Sequence, residues 1–234
     1  MSFLPFHPLI NTWFAETYGK ATPVQEEAWP LIVKGENVLA LAPTGSGKTL
    51  TGFLAAISRF ADQSYPPDRL SVLYVSPLKA LNEDIRRNLT LPIEGIKARF
   101  EKAGEAFPAI RVETRSGDTP QSERRRFLSR PPSILALTPE SLAIILLNPR
   151  GRQVLSSVRY VILDEIHAVL ANKRGSFLSC QIDRLSLIAG EFQRIALSAT
   201  VKPPEAAADF AAGLRKNQAG YEKRKIHIVS PDDK

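Results

Sequence analysis

One cysteine in 234 residues, Cys180, leaves no partner for an intrachain disulfide, so the fold cannot rest on covalent staples. Long hydrophobic runs are missing as well. Stretches such as Ala143–Leu147 fall far short of the ~20 apolar residues a membrane-spanning helix needs. The opening Met1–Ile10 has neither a basic n-region nor a continuous apolar core, so no secretory leader is expected and the cytoplasm is the default compartment. Internal repeats and low-complexity tracts are absent, which excludes solenoids and disordered tails. Acidic residues are the minority: 24 Asp and Glu stand against 31 Lys and Arg, a formal net charge of +7. That balance favours an anionic partner without choosing among nucleic acid, acidic lipid and nucleotide. With 44% hydrophobic and 24% charged residues, the chain can bury a substantial core.

Seven short apolar runs rich in Val, Ile and Leu punctuate the chain: Asn37–Pro43, Leu70–Pro77, Ala109–Gly117, Ser133–Pro139, Tyr160–Glu165, Arg194–Thr200 and Lys225–Pro231. Their near-continuous apolarity predicts strands covered on both faces, the habit of a parallel sheet with helices above and below. Helical spacing predicts helices over Val24–Val33, Ser46–Phe60, Leu78–Lys102, Gln121–Ser129, Ser141–Leu147, Phe177–Ala189 and Pro204–Leu214. Loops are expected at Asp62–Arg69 and Ala103–Pro108, and a mobile basic turn at Asn172–Ser176. Cys180 falls in the helix over Phe177–Ala189, where an inert core thiol is expected. The pattern is that of one α/β domain with a mostly parallel sheet of about seven strands.

Between the first run and the helix over Ser46–Phe60 lies Ala42-Pro43-Thr44-Gly45-Ser46-Gly47-Lys48-Thr49, a phosphate-binding loop in its strand-loop-helix setting. Gly45 and Gly47 let the backbone curl so that N–H groups point inward, and the helix N-terminus adds positive charge. Lys48 would neutralise terminal phosphates, and Thr49 offers a hard oxygen to Mg²⁺. Ala42 stands where the strict pattern has glycine. A second cluster, Asp164-Glu165-Ile166-His167, directly follows Tyr160-Val161-Ile162-Leu163 and so sits at the carboxyl end of a buried strand, the edge where ligands of open α/β sheets bind. Asp164 there can hold Mg²⁺ through water, and Glu165 can deprotonate the water that attacks a phosphate. His167, taken alone, reads as a hydrogen-bonded core histidine.

These residues, in this order and spacing, resemble superfamily 2 DEAD/DEAH-box helicases, whose motor pairs two RecA-like domains. Thr22-Pro23-Val24-Gln25 resembles the Q motif, Ala42–Thr49 motif I and Ser76-Pro77-Leu78-Lys79-Ala80-Leu81 motif Ia. Thr138-Pro139-Glu140-Ser141 resembles motif Ib, Asp164–His167 the DEAH form of motif II, and Ser198-Ala199-Thr200 motif III. Phe6-His7-Pro8, Ser76–Leu81, the stretch from Gly117-Asp118-Thr119-Pro120 to Arg126, and Asp164–Leu170 are most similar to Lhr-type (large helicase-related) proteins. The resemblance implies the first RecA-like domain over 1–234, with residues 1–35 as the Q-motif region and 36–234 as the core.

It implies that Gln25 reads the adenine edge of ATP, that Thr44, Gly45, Ser46, Gly47, Lys48 and Thr49 hold the phosphates, and that Thr49 and Asp164 face Mg²⁺. It implies catalysis by Lys48, Asp164 and Glu165, and coupling of nucleotide state through His167, Ser198 and Thr200, although two hydroxyls capping a strand end are an equally plain reading of motif III. Phe6 is the nearest upstream aromatic for stacking on adenine. Single-stranded nucleic acid, DNA ahead of RNA, would lie along Ser76, Pro77, Lys79, Arg115, Gly117, Thr119 and Thr138, which suit backbone contacts without base reading. The basic runs Arg124–Arg126 and Lys223–Lys225 are either part of that track or solvated faces.

Motifs IV to VI are not found, so a second RecA-like domain, in cis or in trans, is expected to supply arginine fingers, and the chain alone is expected to turn over ATP weakly or not at all. No membrane partner is expected. The alternatives are a stand-alone nucleic-acid-binding module with a vestigial nucleotide site, or a phosphate-loop ATPase of another class.

Overall fold

A computed structural model describes residues 4–43, 45–77, 83 and 85–231. Strands β1 (Val38–Leu41), β2 (Val72–Val75), β3 (Val112–Arg115), β4 (Ile134–Leu137), β5 (Tyr160–Leu163) and β6 (Gln193–Ser198) form one sheet with β9 (His227–Val229). Its order is β3-β4-β2-β5-β6-β1-β9, and every pairing is parallel. All seven expected strands are present. The remaining pair, β7 (Leu214–Asn217) and β8 (Gly220–Lys223), is a separate antiparallel hairpin that the sequence reading did not include.

Alternation along the strands divides the core into two layers. Val38, Ala40, Tyr74 and Ile162 face one helical layer, and Leu39, Leu41, Val75 and Leu163 face the other. The first layer holds α1 (Pro8–Tyr18), α2 (Pro23–Val33), α3 (Lys48–Ala61) and α4 (Leu91–Ala103), with α1 packed on α4 and α2 on α3. The second holds α5 (Gln121–Ser129), α6 (Pro139–Leu147), α7 (Pro149–Leu155), α8 (Lys173–Ala189) and α9 (Pro204–Ala212). A sheet covered on both faces accounts for the near-continuous apolarity of the strands. Among the described residues, no helix is long and apolar enough to cross a membrane.

Helices α1 and α7 were not expected. In α1, Pro8 starts the helix, the His7 ring accepts from Leu9 N, and only Ile10, Trp13 and Phe14 are buried. In α7, Asn148 Oδ1 accepts from the N–H groups of Arg150 and Gly151 at 2.9 and 3.1 Å, so the cap supplies what a helix with few apolar residues lacks. The expected mobile turn at Asn172–Ser176 is instead the start of α8, capped by Asn172 accepting from Arg174 N at 2.9 Å. The helix expected over Pro204–Leu214 stops at Ala212, because the chain turns into β7 after Gly213. Of the helix expected from Leu78, residues 78–82 and 84 lie outside the described residues; the described part is a π-helical turn, Arg86–Thr90, that runs into α4. Cys180 is exposed on α8, contrary to the core position expected for it.

Arg224 also departs from both readings of its basic run. Its side chain is buried, its guanidinium forms two 2.7 Å bonds with Glu191, and it donates to the carbonyls of Ala212 and Leu214. Beside it, Lys223 pairs with Asp209 of α9 at 2.7 Å. These cations fasten the hairpin to the domain.

Candidate nucleotide site and sheet edge

Because the sheet is parallel, the carboxyl ends of all its strands lie along one edge. That edge gathers Ala42 after β1, Ser76 after β2, Arg115 at the end of β3, Thr138 after β4, Asp164 after β5 and Ser198 at the end of β6.

The loop after β1 closes onto the N-terminus of α3. Gly45 and Gly47 have φ of 82° and 81°, the left-handed region where a side chain is strained. A Cβ on Gly47 would also fall 2.6 Å from Gln25 Nε2, so this position is closed to other residues by packing as well as by conformation. Gln25 is only 3% exposed. Its Nε2 donates to Gly47 O at 3.2 Å, its Oε1 accepts from Thr22 N at 3.0 Å, and Thr22 Oγ1 donates to Ser46 O at 2.9 Å. The start of α2 is thereby latched to the phosphate loop. Lys48, on the first turn of α3, donates from Nζ to the carbonyls of Ala42 and, at 2.6 Å, Pro43. Burial lowers its pKa, and the Glu165 and Asp164 carboxylates oppose that shift.

Asp164 is 4% exposed, and both its oxygens are held: Oδ2 accepts from the Tyr74 hydroxyl at 2.5 Å and Oδ1 from Glu165 N at 2.8 Å. Burial raises its pKa to about 6 and the neighbouring Glu165 charge pushes the same way, while those hydrogen bonds and Lys48 act against it. Glu165 has φ of 51°, a conformation rare outside glycine, and this strained turn carries its side chain into the cleft beside Lys48. His167 Nδ1 lies 3.2 Å from Glu165 Oε2 and accepts from Ala199 N at 3.2 Å. The histidine ring thus lies between Glu165 and the loop after β6, bonded to the latter through Ala199 N. Ser198 Oγ is buried without a hydrogen-bond partner among the described residues, and Thr200 is exposed, so the contact expected from these hydroxyls is made by the Ala199 backbone.

A cleft of about 430 Å³ runs from these groups to the outer helices. Gly45, Gly47, Lys48, Thr49 and Glu165 line its inner end, while Phe14, Tyr18, Lys20, Arg87 and Asn88 line the outer end around Gln25. Phe6, the nearest upstream aromatic in the sequence, is buried against Trp29, with ring centroids 5.1 Å apart. The aromatics of the cleft come from α1, where Phe14 and Tyr18 sit four residues apart on one face and their rings are 5.2 Å apart. Only the Ile10-Trp13-Phe14 spacing could have pointed to them. Ser46 lies in this loop with its Oγ buried and unbonded among the described residues; Thr44 lies outside them.

The residues expected along a strand divide into two groups. Ser76 and Thr138 are buried, and Thr138 Oγ1 caps α6 by accepting from Ser141 N at 3.3 Å. Pro77 O accepts from Arg174, which also pairs with Glu140 at 2.9 Å; Lys79 lies outside the described residues. Farther along the edge, Arg124 donates to Gly117 O at 2.6 Å and Thr119 O at 2.8 Å and so shapes that turn. Arg115 is 8% exposed, sits over the Phe127 ring at 5.7 Å, and lines a cavity of about 220 Å³ with Thr119. Burial and the Arg124 charge lower its pKa, the condition of a cation with like charge beside it.

Residues 22–208 match the family model described as DEAD/DEAH box helicase. The chain belongs to the DEAD/DEAH box helicase family. It is 49% identical over 210 residues to the Lhr helicase/probable uracil glycosylase of Mycolicibacterium smegmatis, covering 89% of this chain and 14% of that protein. It is 49% identical over 211 residues to the ATP-dependent helicase Lhr-Core of Methanothermobacter thermautotrophicus, covering 88% of this chain and 24% of the relative. The structure of Mycobacterium smegmatis helicase Lhr bound to ssDNA and AMP-PNP superposes with a TM-score of 0.86 at 47% identity, over 96% of this chain and 27% of that one. DEAD-box helicase Mss116, at 18% identity and a TM-score of 0.74, shares the fold. The chain therefore spans about a quarter or less of these Lhr relatives, and within that span its sheet is that of a RecA-like helicase domain.

Proposed function

We propose that this chain is the ATP-binding half of an Lhr-type, ATP-dependent translocase on single-stranded nucleic acid. The observation that carries the reading is the meeting of Lys48 with Asp164 and Glu165 at one sheet edge, beneath a glycine loop latched by Gln25. In this reading Lys48 leaves the Ala42 and Pro43 carbonyls to neutralise the β and γ phosphates, and the inward N–H groups of the loop hold them. Glu165 orients the attacking water and takes its proton. Tyr18 and Phe14 flank the base, and Gln25 sets the distance between base and phosphates.

The donors facing the phosphates fit Mg²⁺: a threonine hydroxyl at Thr49 and the buried Asp164 carboxylate are hard oxygens. Bound there, the ion would neutralise charge on the phosphate oxygens. His167 passes the state of Glu165 to Ala199, at the edge where a second RecA-like domain would dock. Arg115, with Thr119 beside it in a cavity also lined by Arg124, Arg126, Glu113 and Glu123, would donate to a backbone phosphate. The ssDNA carried by the Lhr relative supports DNA ahead of RNA, and a cytoplasmic location belongs to the same reading.

Calorimetry with ATP and Mg²⁺ tests the site. Lys48→Ala is expected to abolish binding, while Glu165→Gln retains it and removes turnover; tight ATP binding by the Lys48→Ala protein would refute the assignment. Arg115→Ala is expected to weaken single-strand binding uniformly across sequences and to reduce the slope of log affinity against log salt by about 1. An unchanged slope counts against a phosphate contact there.

A further inference from the structure

Tyr74 and Tyr160 are the two tyrosines buried in their layer of the core, and each hydroxyl has a partner. Tyr74 lies on β2, is 1% exposed, and pairs in register with Ile162. An apolar side chain would serve the packing equally well, and a buried hydroxyl is costly unless it is bonded. Its hydroxyl ends 2.5 Å from Asp164 Oδ2, at the short end of the range for an O–H donating to a charged oxygen. The other face of the carboxylate is fixed by Glu165 N, and Asp164 N continues the ladder to Val75 O at 2.9 Å. With one acceptor position taken on each oxygen, the carboxylate cannot rotate, and its remaining lone pairs have fixed directions.

The ring of Tyr74 is held too. It stacks on Phe53 with centroids 4.9 Å apart and 32° between planes. Phe53 belongs to α3, four residues after Thr49, so the two lie on the same helical face. One side chain thus touches the helix that carries the Thr49 hydroxyl and bonds the strand end that carries the Asp164 carboxylate.

We propose that Tyr74 is a positioning residue for the metal-binding pair, holding the carboxylate of Asp164 in the one orientation in which, with Thr49, it would face Mg²⁺ bound with a nucleoside triphosphate. The proposal rests on the reading of Asp164 and Thr49 as the groups that face Mg²⁺. Outer partners of a ligating carboxylate are worth about 10- to 100-fold in metal affinity or activity.

The test replaces Tyr74 by Phe, which keeps the ring on Phe53 and removes only the hydroxyl. Binding of a fluorescent ATP analogue is titrated with Mg²⁺ at fixed nucleotide, and nucleotide affinity is measured separately in EDTA. Tyr74→Phe is expected to raise the Mg²⁺ half-saturation about tenfold while leaving metal-free nucleotide affinity nearly unchanged, with a melting temperature lowered by the donor that Asp164 Oδ2 loses. Asp164→Asn, measured in parallel, should raise it at least as far. An unchanged half-saturation in Tyr74→Phe beside a raised one in Asp164→Asn overturns the proposal. So does an equal loss of metal-free and metal-dependent affinity in Tyr74→Phe, which is the signature of general packing damage. No change in Asp164→Asn overturns the reading of the site on which the proposal stands.

Discussion

Asp164 ionises against its surroundings, and this has consequences for stability as well as for metal binding. Its pKa in the folded chain is raised to about 6 from 3.8 by burial, so the folded state binds the proton more tightly than the unfolded one. Without metal, its contribution to stability is greatest at acid pH and is lost as pH rises through about 6. The melting temperature of the metal-free chain should therefore fall between pH 5 and pH 7 more steeply than that of Asp164→Asn, and matching slopes would contradict the assignment. If Asp164 faces Mg²⁺ as proposed, protons compete with the ion for its carboxylate, and Mg²⁺-dependent nucleotide affinity should drop about tenfold from pH 7 to pH 5. Gly47 is the other residue with a sharp expectation. Gly47→Ala places a methyl group against Gln25 Nε2 in a left-handed turn, and calorimetry should show nucleotide binding lost in a protein that still folds.

At the scale of elements, the sheet was legible because its central strands are buried on both faces: Val161-Ile162-Leu163 and Val38-Leu39-Ala40-Leu41 are apolar at every position. Glycine and carboxylate chemistry made the phosphate loop and the acidic strand end equally plain. What escaped was carried by capping and tertiary contact. Helix α7 depends on Asn148, α8 begins four residues early, capped by Asn172, and the hairpin β7–β8 is held by Arg224 and Lys223, whose charges read in sequence as solvated or strand-binding. The aromatic end of the cleft escaped for a related reason, since α1 shows its chemistry only once the fold brings Phe14 and Tyr18 to line the same cleft as Gln25 and Arg87. Tyr18→Ala should raise the ATP dissociation constant several-fold, the worth of one stacking aromatic at about 1 kcal/mol, with little effect on the melting temperature. Arg224→Ala should speed amide exchange in β7–β8 while leaving nucleotide affinity intact, as expected for a fastening far from the cleft.

Across the whole molecule, one parallel sheet brings the cleft at Lys48 and Glu165 and the cavity at Arg115 to a single edge, and His167 sits between Glu165 and Ala199 along that edge. In the proposed function, this arrangement would couple chemistry to movement when a second RecA-like domain closes over the edge. Arginine fingers contribute roughly 10³- to 10⁵-fold in comparable phosphoryl transfers, so nucleotide binding and turnover should separate in this chain. The measurement that bears on this most directly is ATP binding and hydrolysis by the chain with Mg²⁺, with and without single-stranded DNA. The account predicts binding that Lys48→Ala abolishes, with turnover that stays slow and indifferent to DNA until a second RecA-like domain is supplied. Brisk DNA-stimulated turnover by the chain alone would contradict it.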